Sequence, residues 1–350
     1  MRCKLRKSVW KIFFGIFLVV LFTQAPIVTS ASTEAQNIIF SGSTMGTTYR
    51  IQAQIPRSVD VSQLAKEIDV CLEKINTQMS TFRSESEISR FNRMLTGSMT
   101  VSDDFYTVMK ASKQLYKITD GAWDGTVYPL MKIWNFFIKG ETPKVPSDKE
   151  IKTAIQNVGF DNIGFAEKNQ LIKKKEKVQV DLASIAKGYG VDQLMALLKQ
   201  KGVINGFVEI GGEVLVSGTK PDGSLWKVGI MQPDESGSQK KAYRTIELKN
   251  QAIATSGTYQ NFFKKNGVTY SHIIDPKTGR PVQNGVVSVS VVAPTCMEAD
   301  GLATALMVMG ASKGIELIKT LPNVSCCILV IQPDGKIRSY RTASFPKWVL

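Results

Sequence analysis

Histidine is almost missing from this chain: His272 is the only one among 350 residues. That excludes histidine-rich metal centres, and any imidazole chemistry must pass through this one side chain. Cysteine is sparse as well. Cys3 lies near the N-terminus, and Cys71, Cys296, Cys326 and Cys327 show no metal-site spacing. Four thiols in a body this long do not make a disulfide scaffold. Cys71 on a helix face and Cys326 in an apolar strand read as buried thiols. There is no low-complexity tract, internal repeat or linker after about residue 36. The composition, 43% hydrophobic and 21% charged, sets aside wholesale disorder, collagen and coiled coil.

Residues 1–31 lack any acidic side chain. Arg2, Lys4, Arg6, Lys7 and Lys11 form a basic head, an apolar run covers 12–22, and Thr29-Ser30-Ala31 offers small residues for cleavage. This is the three-part layout of a secretory signal. The run is short of the roughly 20 residues a membrane span needs. An uncleaved N-terminal anchor is the alternative, with inner-membrane association as its consequence. No Cys follows the run, so a lipoprotein anchor is unsupported. The expected division is 1–31 as signal peptide or anchor and 37–350 as one body. The expected location is exported: periplasm, or the outer face of the inner membrane. Removing the segment takes the net charge from +14 to +14 − 5 = +9. That charge suits anionic partners (phosphates, nucleotides or anionic lipid) or a solvated basic face. No nucleic-acid motif accompanies it, so nucleic acid is not an expected partner.

Periodicity predicts helices over 61–79, 103–118, 149–158, 186–200, 297–309 and 312–321. Strands are expected over 48–55, 178–182, 206–210, 226–231, 245–248, 252–255, 271–274, 286–292 and 326–331. The strands come in hairpin-like clusters, not in regular alternation with helices. The expected class is therefore α+β, with a mixed, largely antiparallel sheet and packed helices.

Six stretches carry candidate chemistry. Gly42-Ser43-Thr44-Met45-Gly46-Thr47 offers amides and hydroxyls to a phosphate or ring edge, or is simply a turn. Phe82, just past a helix end, can stack on a flat ligand or pack in a core. Asp124 in a Gly-rich bend can accept from a ligand or cap its own turn. Asp181-Leu182-Ala183-Ser184-Ile185-Ala186-Lys187 places a cation in the first turn of a helix, a natural anion site. There the Ser184 hydroxyl can cap while its carbonyl meets a cation. His272 sits at a strand end beside Asp275, where it can serve as a general base or a structural residue. Asp300 and Thr304, four apart on one helical face, are hard oxygen donors suited to Mg²⁺ rather than Zn²⁺, or mark an acidic helix start.

Taken in order, the motifs resemble those of the ApbE family, the FAD:protein FMN transferases. They are Met45-Gly46-Thr47; Met79-Ser80-Thr81-Phe82; Trp123-Asp124-Gly125-Thr126 with Pro129, Leu130 and Trp134; Asp181 through Lys187-Gly188-Tyr189 and Asp192; Gly211-Gly212; Ala254-Thr255-Ser256-Gly257; His272 through Pro276 with Thr278-Gly279; and Ala299-Asp300 with Thr304. The resemblance spans about residues 38–345. It implies a single T-fold-like domain, FAD as substrate, Mg²⁺ as cofactor, and transfer of FMN to a Thr or Ser of an acceptor protein with AMP leaving. It implies that Met45, Phe82, Ala122, Trp123, Asp124, Asp181, Lys187 and Ile274 line the FAD site. Ser184, through its backbone, with Asp300 and Thr304 would hold Mg²⁺, and His272 would assist the acceptor hydroxyl. The acceptor would be an exported or membrane redox subunit. Three departures stand out: Phe82 replaces a frequent Tyr, Ala183-Ser184 a frequent Gly-Gly, and Ala303 an Asp found in some members. Competing readings are a FAD pyrophosphatase giving FMN and AMP, a flavin-binding protein without turnover, and, last, a serine hydrolase using Ser256 and His272. The last lacks the Gly-x-Ser-x-Gly elbow.

Overall fold

Val, Ile and Ala alternate with polar residues along much of the chain, and these runs assemble into one eight-stranded sheet. The structure, a computed structural model, describes residues 35–136, 142–233, 242–259 and 261–349. The strands are β1 (Ala35–Thr44), β2 (Thr47–Pro56), β3 (Gly206–Ile210), β4 (Glu213–Ser217), β5 (Ala252–Gly257), β6 (Val286–Ala293), β7 (Ser325–Ile331) and β8 (Ile337–Arg341). They lie side by side in chain order, each antiparallel to the next. The helices are inserted into two of the connections. Between β2 and β3 run α1 (Val61–Met79), α2 (Glu87–Arg93), α3 (Asp103–Ile118), α4 (Tyr128–Ile133), α5 (Asp148–Ile155) and α6 (Ala183–Gln200). Between β6 and β7 run α7 (Cys296–Met309) and α8 (Ala311–Thr320).

The pleat sends neighbouring side chains to opposite layers. Ala254 and its cross-strand partner Val291 face the helices, where Leu302, Leu306 and Ile185 bury them. Ile253 and its partner Val292 face the other way. There a three-stranded sheet (Trp226–Met231, Ala242–Leu248, Trp348–Val349) covers them with Val228, Ile230, Ile246 and Leu248. Cys326 and Cys327 split between the two layers in the same way, both buried, whereas Cys71 is only half-buried.

The α+β class and the antiparallel sheet stand as the residues predict. Helices 61–79 and 103–118 fall on their expected bounds, and α6 starts three residues early, at Ala183. Two expected strands are absent. The alternating run 178–182 is irregular: its Val180 exchanges both backbone hydrogen bonds with the Asn92 amide, at 2.8 and 2.6 Å. A side chain has taken the place of a partner strand. The run 271–274 is broken between a hairpin strand, Val268–Ser271, and a two-residue bridge, Ile274–Asp275. Among the described residues no helix is long and apolar enough to cross a membrane. The expected signal segment lies outside the described residues.

Candidate active site

The site is organised by the crossing of α6 and α7. Gly188 permits it, since a Cβ there would lie 2.3 Å from the Cys296 carbonyl oxygen. One turn on, Asp192 accepts from the Cys296 and Met297 amides at 2.8 and 2.9 Å, so a side chain of α6 caps the start of α7. Burial pushes the Asp192 carboxyl up to about 6 despite those bonds. The crossing also brings Asp300 of α7 to α6, where its Oδ2 accepts from the Gly188 amide at 3.0 Å. The helical partner of that amide is the Ser184 carbonyl, four residues back. A carbonyl oxygen has two lone pairs, so the Ser184 carbonyl keeps capacity for another partner.

The start of α6 carries no side-chain cap from its N-cap residue, Leu182. Asp181 Oδ1 accepts from the Ala183 amide at 2.8 Å, and the Thr81 hydroxyl also bonds this carboxylate. Ser184 is not the cap, because its Oγ faces the Trp123 indole Nε1 at 3.0 Å. Lys187 projects from the same turn to Glu213 Oε1, 2.7 Å away. Burial alone would lower the Lys187 pKa, but Asp300 and Glu213 outweigh it and raise it. Burial raises Glu213 to about 7 and also raises Asp300, each against the pull of Lys187.

His272 is half-buried. Its backbone amide donates to the Asn261 carbonyl, and its Nδ1 lies 3.0 Å from the same oxygen. Nδ1–H donation there makes Nε2 the basic nitrogen. Burial first, then the Lys187 charge, lowers the imidazole pKa below its ordinary value, so the ring is neutral at pH 7. Asp275, near His272 in sequence, closes its own turn: its Oδ1 accepts from the Lys277 amide at 2.8 Å.

The other predicted residues divide in two. Phe82 is 71% exposed, so the core alternative fails and its ring face is open to a ligand. Met45 holds a left-handed φ of 49° in the two-residue turn between β1 and β2, and its Cε lies against Gly190 of α6. Thr304 Oγ1 lies 3.0 Å from Ser256 Oγ. Ala122, Trp123, Asp124 and Ile274, by contrast, are buried. Asp124 binds the Thr126 amide and hydroxyl at 2.8 and 2.6 Å and the Phe160 amide, which is the capping use. Burial raises its carboxyl to about 6. Ile274 packs with Leu130 and Trp134.

Glu213 went unremarked in the sequence. Its signal was the preceding Gly211-Gly212, both at positive φ, which turns β3 into β4 and aims the next side chain inward. As for a cation, Asp300, Thr304 and the Ser184 carbonyl are all hard oxygen donors. The buried Asp300 carboxylate gains from a positive neighbour, so the set fits Mg²⁺ chemically. Among the described residues no group of three or more His, Cys, Asp or Glu gathers as a metal cluster.

A model of the ApbE family matches residues 45–328. The chain belongs to the ApbE family. It is 42% identical over 313 residues to the FAD:protein FMN transferase of Vibrio cholerae, covering 89% of this chain and 92% of that one. It is 36% identical over 344 residues to the Haemophilus influenzae protein of the same name, covering 96% and 98%. The solved structure of the Vibrio cholerae flavin transferase ApbE superposes with a TM-score of 0.81 at 40% identity, over 89% of this chain and 99% of that one. The apo Pseudomonas stutzeri flavinyl transferase ApbE gives 0.80 at 34%, over 89% and 96%. By family the chain is a transferase.

Proposed function

We propose that this ApbE-family chain is a FAD:protein FMN transferase. It moves FMN from FAD to a Thr or Ser hydroxyl of an acceptor protein through a phosphoester bond and releases AMP. The observation that carries the reading is the cluster of Lys187, Asp300 and Glu213, with a neutral His272, around the second turn of α6. The Lys187 ammonium is a point charge suited to a phosphate, and Phe82 presents an exposed aromatic face for a flavin.

Asp300, Thr304 and the Ser184 carbonyl would hold Mg²⁺, which when bound supplies Lewis-acid neutralisation of the diphosphate. Lys187 binds and orients the diphosphate. His272 Nε2 takes the proton of the acceptor hydroxyl as its oxygen bonds the FMN phosphorus. The pyrophosphate P–O bond breaks, and AMP leaves with the bridging oxygen and the electron pair. Residues 37–350 form the transferase body. Residues 1–31 are the export signal or anchor, and the acceptor is an exported or membrane redox subunit. The test incubates the protein with FAD, Mg²⁺ and a candidate acceptor, then follows AMP and flavin on denatured acceptor. Label with AMP supports transfer, AMP without label indicates the pyrophosphatase, and no AMP leaves a flavin-binding protein.

A further inference from the structure

We infer that Glu213 is a positioning residue for the transfer reaction: its carboxylate braces the Lys187 ammonium beside Asp300, and it acts on FAD only through that lysine. The inference rests on the transferase reading above. Three observations carry it.

The first is the difference in exposure within the ion pair. The Glu213 side chain is 4% exposed and that of Lys187 28%, with 2.7 Å between Oε1 and Nζ. The carboxylate is sealed from a ligand, while the Lys187 side chain keeps some open surface. The second is how rigidly each end is held. Glu213 follows the Gly211-Gly212 turn, where a Cβ on Gly211 would press on Thr47 at 2.8 Å and approach Glu213 Oε2 at 3.3 Å. Lys187 leaves α6 next to Gly188, where that helix touches the α7 backbone. A flexible four-carbon stem is thereby fixed at both ends, which is preorganisation of a phosphate-binding charge. The third is the donor count. An ammonium has three N–H donors, and one goes to Glu213. The remaining two can meet non-bridging phosphate oxygens without the pair being broken. Glu213 Oε2 is buried without a hydrogen-bond partner, so the carboxylate depends on Lys187 for its one strong contact.

The experiment is a double-mutant cycle on the full chain, with Glu213→Gln, Lys187→Met and both together. Two quantities are read: kcat for transfer at saturating FAD and Mg²⁺, and the FAD Kd from flavin fluorescence with the cation chelated. Glu213→Gln should lower kcat about tenfold or more, as misplacement of an oriented group does. It should also weaken FAD binding. Neither change should appear in the Lys187→Met background, where the double variant should stay within about twofold of Lys187→Met alone. Losses that multiply, a Glu213→Gln kcat within about twofold of wild type, or tighter FAD binding in Glu213→Gln would each overturn the brace. Tighter binding would mean that the carboxylate merely repels the diphosphate. Should Glu213→Gln not melt cooperatively, Glu213→Asp replaces it in the same cycle, with a partial loss expected that again disappears without the lysine. Wild-type protein that releases no AMP would instead sink the transferase reading, a result distinct from multiplying losses.

Discussion

Burial and the Lys187 charge both disfavour protonation of His272. A general base works only when unprotonated, so a lowered pKa extends activity toward acid. The pH profile of kcat/KM reports the free enzyme. Its acid limb should have a midpoint below about 6.5, and it should disappear in His272→Ala, whose rate should fall ~10²–10⁴-fold. A limb centred above 7 would assign the base elsewhere. Asp300→Ala should be worse than His272→Ala even at saturating Mg²⁺, because electrostatic alignment outranks proton transfer here; equal losses would reverse that ranking. Phe82→Ala should leave thermal stability within about 0.5 kcal/mol, since the side chain is mostly exposed. It should weaken FAD binding by about 0.5–1.5 kcal/mol of lost stacking, measured by fluorescence titration. Single residues were legible where chemistry contradicts surroundings: one histidine at a strand end, one aspartate in an apolar helix. Glu213 was not, because its partner lies 26 residues away on another element and only the folded turn joins them.

Elements were legible where a long stripe repeats. Leu64, Ile68, Leu72 and Ile75 mark α1 and are all buried. The six-residue α4 and seven-residue α2 are too short to show a period. The edge strand β1 buries only Ile38 and Thr44, too few to reveal its alternation. The run 178–182 alternates as a strand does, with Val178, Val180 and Leu182 buried, and no periodicity could show that Asn92 replaces its partner strand. The α6–α7 crossing gives the prediction at this scale. Gly188→Ala would force a methyl group onto the Cys296 carbonyl, separating Lys187 from Asp300. Overpacking of this kind typically costs 1–3 kcal/mol, about that much in the unfolding free energy from denaturant melts, with transfer activity falling further. A variant of wild-type stability would mean that the two helices pack less tightly.

Over the whole molecule, the sheet places Glu213 of β4 and Ser256 of β5 beside the helices that carry Lys187 and Thr304. Strands from the middle of the sheet and helices from both long insertions thus converge on one site. Deleting residues 1–31 should leave melting and FAD turnover unchanged, since the proposed machinery begins at Met45. The most direct test of the central claim is mass spectrometry of an exported redox acceptor after incubation with this protein, FAD and Mg²⁺. The account predicts one FMN joined through a phosphoester to a Thr or Ser, with one AMP released per label, and neither from Asp300→Ala. An acceptor that stays unlabelled while FAD is split, or FAD that survives intact, would contradict it.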